Sequence, residues 1–168
     1  MILIGSRALQ YYADGIVPND SDFVATYDDA IKFKRKFNPV ACYPMNSGKS
    51  LYMKNKHGLI AEIEIAWPES RAAKFLEFVA EQDNNKITSI DGFTVPSLNV
   101  LYLLKLSHRY LKNSPHFLKT MKDIHFMRSL GAFIEDDHLE YFKDREKDTY
   151  TYGHPKLNVK KDEFFNSE

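Results

Sequence analysis

Four acidic residues and one Gly-Ser pair are the groups in this chain whose types and spacing suit chemistry on a phosphate. Asp20 and Asp22 stand one residue apart in Asp20-Ser21-Asp22-Phe23-Val24. Alternate side chains of a strand point to one face, so the spacing predicts two carboxylates side by side. Like charges held that close repel, and a bound cation or a shared proton relieves them. A divalent metal is the commoner remedy, because Mg2+ takes oxygen ligands from one or two carboxylates and from substrate phosphates. Upstream, apolar Met1-Ile2-Leu3-Ile4 leads into Gly5-Ser6-Arg7. A tight Gly-Ser turn opening a helix offers backbone N–H groups and a hydroxyl to a phosphate. Farther along, Ile60-Ala61-Glu62-Ile63-Glu64-Ile65 alternates, placing isoleucines 63 and 65 on one face and Glu62 and Glu64 on the other. By itself this is the pattern of a half-exposed strand.

The elements that must position these groups can be read from the pattern. Residues 1–4 read as a buried strand, and residues 6–13 as a short helix with Ser6 near its cap, ended by Asp14-Gly15. Pro18-Asn19 is turn chemistry before a strand running from Asp20 to about Tyr27. A helix over 30–37 follows, with Asp28 and Asp29 in its first turn complementing the dipole. Its run of Lys32, Lys34, Arg35 and Lys36 reads as a solvated face. Gly48-Lys49-Ser50 is not a phosphate-binding Walker loop, since position 43, where that pattern needs glycine, is Tyr43. A hairpin fits better, with strands over 50–53 and 59–67 turned at Asn55-Lys56-His57-Gly58. Pro68-Glu69-Ser70 starts a helix with apolar Ala72, Phe75, Leu76 and Val79, and residues 87–95 read as a short strand or hairpin around Asp91-Gly92.

From Pro96 the chain turns helical. Residues 98–111 are apolar almost all round, which predicts a buried helix. Lys105 lies in the middle of it, so its ammonium must snorkel to solvent or meet a carboxylate or phosphate. A second helix is predicted over 117–130, stopped by Gly131, and a charged one over 134–152. The remainder is polar, with Phe164-Phe165 expected to dock on this molecule or a partner.

Gly5-Ser6 at a strand-to-helix turn, followed by Asp20-x-Asp22 on the next strand, resembles the nucleotidyltransferase superfamily of DNA polymerase beta and the small bacterial and phage nucleotidyltransferases. Val95-Pro96-Ser97, Leu104-Lys105 and Lys122-Asp123 with apolar Ile124, Met127 and Leu130 look like the helical half of abortive-infection-type nucleotidyltransferases. The resemblance implies an α+β fold: a small mixed or antiparallel sheet with flanking helices over 1–95, then a helical region over 96–152 packed on it, then a polar tail over 153–168. It implies a third acid on a later strand, Glu64 with Glu62 as the alternative, joining Asp20 and Asp22 as catalytic, metal-binding residues for Mg2+ or Mn2+. Gly5, Ser6 and Arg7 would hold the outer phosphates. Lys105 would hold a triphosphate oxygen, with Lys122 and Asp123 close to the nucleotide. The implied reaction passes a nucleoside monophosphate from a nucleoside triphosphate to an RNA, protein or small-molecule acceptor.

Other chemistries stay open. The same acids could pass a phosphoryl group to water, as in a nucleotide phosphohydrolase. His108, His116, Asp123 and His125 fall near each other along two helices, as ligands of metal phosphohydrolases do. A catalytically silent nucleotidyltransferase fold that binds RNA or protein is a further reading. At 168 residues the chain is expected to form one domain, or one with a helical extension. Its 23 basic and 23 acidic residues balance, so nucleic-acid contact must come from local clustering. The single cysteine, Cys42, excludes an intramolecular disulfide and a multi-cysteine zinc site. No leader or membrane-length apolar stretch is visible, and a cytoplasmic setting is expected.

Overall fold

The computed structural model describes residues 1–82, 87–90, 92–108 and 114–150, with residues 87–90, 114–117 and 148–150 described by their backbone alone. They fall into two units, Met1–Ser97 and Leu98–Glu168. The expected polar tail, with Phe164 and Phe165, lies outside the described residues.

The first unit is built in the order β1 (Ile2–Ile4), α1 (Gly5–Leu9), β2 (Ser21–Ala25), α2 (Tyr27–Phe37), β3 (Pro39–Met45), β4 (Ser50–Asn55), β5 (Ile60–Ile65), α3 (Arg71–Ala80), β6 (Ile87–Ile90) and β7 (Phe93–Pro96). All seven strands join one mixed sheet in the order β3-β4-β5-β2-β1-β7-β6. The pairs β1–β7 and β2–β5 are parallel, and the other neighbours are antiparallel. The α+β class read from the sequence is the architecture found.

Register decides which side chains share a face. Phe23 pairs with Leu3 and with Ile63, and Ile63 pairs with Leu51. Leu3, Phe23 and Ile63, together with Ala25, Met53, Ala61 and Ile65, are buried and form one apolar face. Helix α2 lies on that face, where the Phe33 ring meets Phe23 at 5.3 Å and Phe93 at 5.9 Å. Its start is held by Thr26, whose hydroxyl accepts from Asp29 N at 3.2 Å, and its end by Asn38 in the left-handed region. Helix α3 is capped in the same way by Ser70, which accepts from Ala73 N at 3.1 Å. It buries Ala72, Phe75 and Val79, a stripe at helical spacing.

Helix α1 is shorter than the periodicity predicts. Past Leu9 the chain tightens, with Tyr11 N and Tyr12 N bonding three residues back to the Ala8 and Leu9 carbonyls. This turn lets the Tyr12 hydroxyl donate to the Pro96 carbonyl oxygen at 2.6 Å, tying the exit of α1 to the end of β7. Burial pushes the Tyr12 phenol above its ordinary pKa, so folding favours the protonated form. Tyr12→Phe is therefore expected to lower stability by about 0.5–1.5 kcal/mol at neutral pH. A raised folded pKa gives stability that is complete below the unfolded value and fades as pH climbs through the folded one. The gap between wild type and Tyr12→Phe in urea melts should thus narrow above pH ~10.

In the second unit, α4 (Leu98–Ser107), α5 (Ser114–Ser129) and α6 (Leu139–Tyr150) follow in order, with a 3-10 turn at Asp136–His138. Val100, Leu101, Leu103 and Leu106 of α4 are buried, as are Ile124 and Met127 of α5. The Asn99 side chain ties the segment after α5 to the start of α4, donating to Glu135 Oε1 at 2.8 Å and accepting from Phe133 N at 3.1 Å. No helix among the described residues is long and apolar enough to cross a membrane.

Candidate phosphate and metal site

The Gly5 turn and the acid-bearing strand meet at one corner of the first unit. Strand β1 ends where Ile4 pairs with Asp22, and Gly5 follows with φ of 67°, a conformation that L side chains rarely adopt. A Cβ added at Gly5 would fall on Asp22 Oδ2, 3.2 Å from its Cγ and 3.3 Å from its Cβ. The Asp22 carboxylate thus occupies the room that the absent side chain leaves. Glycine is needed here for two separate reasons, the backbone angle and the neighbour. Ser6 and Arg7 follow in α1, and both are half-buried. Arg7 Nε is buried with no hydrogen-bond partner among the described residues.

The parallel ladder then places the other acids. Asp22 pairs with Glu62, and Val24 pairs with Glu64. Paired residues of adjacent strands share a face, so Asp22, Glu62 and Glu64 all project from the face opposite the Phe23 core. Glu62 stands directly across from Asp22 at one strand spacing, about 4.8 Å, whereas Glu64 is displaced one rung, about 6.6 Å along β5. Glu62 is half-buried and Glu64 exposed. The sequence favoured Glu64, but the register gives the place beside Asp22 to Glu62. Asp20 also departs from the expected strand, because β2 begins at Ser21 and Asp20 sits in the bend before it, outside the ladder.

Lys105, Lys122 and Asp123 belong to the second unit. Lys105 Nζ meets Asp123 Oδ2 at 2.8 Å, with side chains only 29% and 23% exposed. The ammonium in the apolar helix thus finds the carboxylate partner its burial demands. Lys122 is exposed. The histidine set separates. His108 Nε2 lies 2.7 Å from Arg145 Nη2; a guanidinium can only donate, so the imidazole accepts and is neutral. His125 is exposed, and the side chain of His116 lies outside the described residues.

Two arrangements were not foreseen. Arg145, 7% exposed, also donates to Ser107 Oγ and Tyr141 OH, both at 3.2 Å. Glu135, Asp137 and His138 form the three-donor cluster among the described residues, with ligand atoms within 4.8 Å of one another. Asp20, Asp22, Glu62 and Glu64 do not close into such a trio. The string Glu135-Asp136-Asp137-His138 carried that signal, but it falls at the start of the charged helix predicted over 134–152.

Residues 100–168 match the model of a family described as a domain of unknown function, DUF7275. The match lies within the second unit and leaves the Gly5–Asp22 corner outside it. No curated protein matches the chain.

Proposed function

We propose that this chain is a metal-dependent nucleotidyltransferase that transfers a nucleoside monophosphate from a nucleoside triphosphate to an acceptor hydroxyl. The observation that carries the reading is the corner itself, where the Asp22 carboxylate fills the room left by Gly5 and Glu62 stands across from it in register. A donor set made only of carboxylate oxygens fits Mg2+ or Mn2+ rather than a softer ion, with Asp22 and Glu62 as the residues that hold it and Asp20 at the rim. When bound, the metal supplies positive charge against the phosphate oxygens and makes an acceptor hydroxyl more acidic. Gly5 takes the backbone angle of the turn while the Asp22 carboxylate fills its empty side, and Ser6 adds a hydroxyl. The buried Arg7 N–H is a donor that an anion at the turn would satisfy. In the reaction a bond forms between the acceptor oxygen and the α-phosphorus, the bond to the bridging oxygen breaks, and pyrophosphate leaves.

The test is incubation with labelled nucleoside triphosphates, Mg2+ and RNA or protein acceptors. Label should enter the acceptor, pyrophosphate should appear, and both should stop on metal removal by EDTA. Free phosphate released from nucleoside monophosphates would point instead to a phosphohydrolase. Neither product would leave a binding module as the role of this fold.

A further inference from the structure

Helix α5 buries Thr120, Ile124 and Met127, a stripe at helical spacing. The outward side of such a helix is polar when it meets only water. Here Leu118, Phe126 and Leu130 are exposed, and with Lys122 they follow at four-residue steps, so they form one ridge along the helix. The Leu130 N–H still bonds to the Phe126 carbonyl, so the ridge runs to the end of the last turn, about 18 Å from Leu118. Leu118 is 51% exposed, Phe126 and Leu130 are 38% each, and Phe133, just past Gly131, is 59%. Lys119 and Lys122 are exposed beside these apolar groups, while Asp123, the one acid in the sequence of α5, is engaged with Lys105. The ridge is thus apolar and positively charged.

We infer that residues 162–168 of this same chain dock along the α5 ridge, with Phe164 and Phe165 on Leu118, Phe126 and Leu130 and with Asp162 and Glu163 toward Lys119 and Lys122. Charge selects the segment. Leu157 and Val159 stand among Lys156, Lys160 and Lys161, which the ridge repels, whereas residues 162–168 carry Asp162, Glu163 and Glu168 and no base. Length permits the contact. Phe164 lies fourteen residues beyond the end of α6 at Tyr150, up to ~46 Å of extended chain, against about 24 Å for the whole of α5. Helices α5 and α6 both pack on α4, so the tether starts in the unit that carries the ridge. The matched family span, residues 100–168, holds ridge and segment together. A segment tethered this way is present at an effective concentration of about millimolar, which favours it over the same segment of a second copy.

The test is nuclear Overhauser spectroscopy on the full chain with labelled leucine methyls. Contacts from the Phe164 and Phe165 rings to the Leu118 and Leu130 methyls are expected. Phe164→Ala with Phe165→Ala should move those methyls to the shifts of exposed leucine and leave circular dichroism unchanged; should that variant lose its fold, the wild-type contacts decide alone. Lys119→Glu with Lys122→Glu should raise the undocked fraction about 2–10-fold, and adding Asp162→Lys with Glu163→Lys should reverse the rise. Methyl shifts that are the same in wild type and in the folded Phe double variant would overturn the docking, as would charge reversal without effect on it. In a mixture of labelled and unlabelled chains, contacts found only between chains would overturn the intramolecular seat and assign the ridge to a second copy.

Discussion

Gly5→Ala is expected to abolish metal-dependent transfer although position 5 carries no functional side chain. The substitution forces an L residue to φ of 67° and drives a methyl into the Asp22 carboxylate. The left-handed backbone costs about 1–2 kcal/mol for a non-glycine residue. The carboxylate is the end of a short, rotatable side chain, so it can swing aside at little further cost, and total destabilisation should stay near 1–3 kcal/mol. The swing is what matters for chemistry, because it removes Asp22 from its place opposite Glu62. Loss of the charge stabilisation that a held metal supplies is worth several kcal/mol, so transfer should fall on the order of 10^3-fold. Asp22→Asn should lose as much activity with stability nearly unchanged, since it keeps the size of the side chain. Urea melts and initial rates of acceptor labelling separate the two effects. Wild-type rates in Gly5→Ala would show that the position of Asp22 is immaterial.

Breaking the Lys105–Asp123 pair should destabilise the second unit markedly. Each side chain is more than two-thirds buried, so removing one leaves the other desolvated without its counter-charge. Asp123→Ala is expected to cost about 2–4 kcal/mol, somewhat less than for a fully buried pair. The double substitution Lys105→Met with Asp123→Leu replaces both by apolar groups of similar length and should return to within about 1 kcal/mol of wild type. Denaturant midpoints at constant m-value are the measurement. Additive losses in the double variant would mean that the two groups do not act as a unit.

Local physics was legible in the chain. Alternation over 60–65, the apolar lead of 1–4 and the helix start at Pro68-Glu69-Ser70 all depend on neighbours in sequence, and the strands and helix they predict are present. So was the choice facing Lys105, solvent or an anion, because burial of its helix follows from composition alone. The resemblance put Asp123 or Lys122 near Lys105 beside a phosphate, but that Asp123, eighteen residues away, is the direct ion-pair partner depends on how α4 and α5 pack.

What tertiary structure decided was pairing. Glu62 and Glu64 are equivalent in an alternating string; only the parallel register of β5 on β2 sets Glu62 across from Asp22. The string shows a glycine at position 5, but the Asp22 carboxylate occupying its empty side is visible only once β1 and β2 lie antiparallel. Asp20 left the strand for the bend before it, a boundary that hydrogen bonding to a neighbour settles. The Arg145 network likewise joins residues whose contacts no periodicity encodes. Spacing along one chain fixes which face a side chain takes, whereas which groups meet on that face depends on the strands and helices brought alongside.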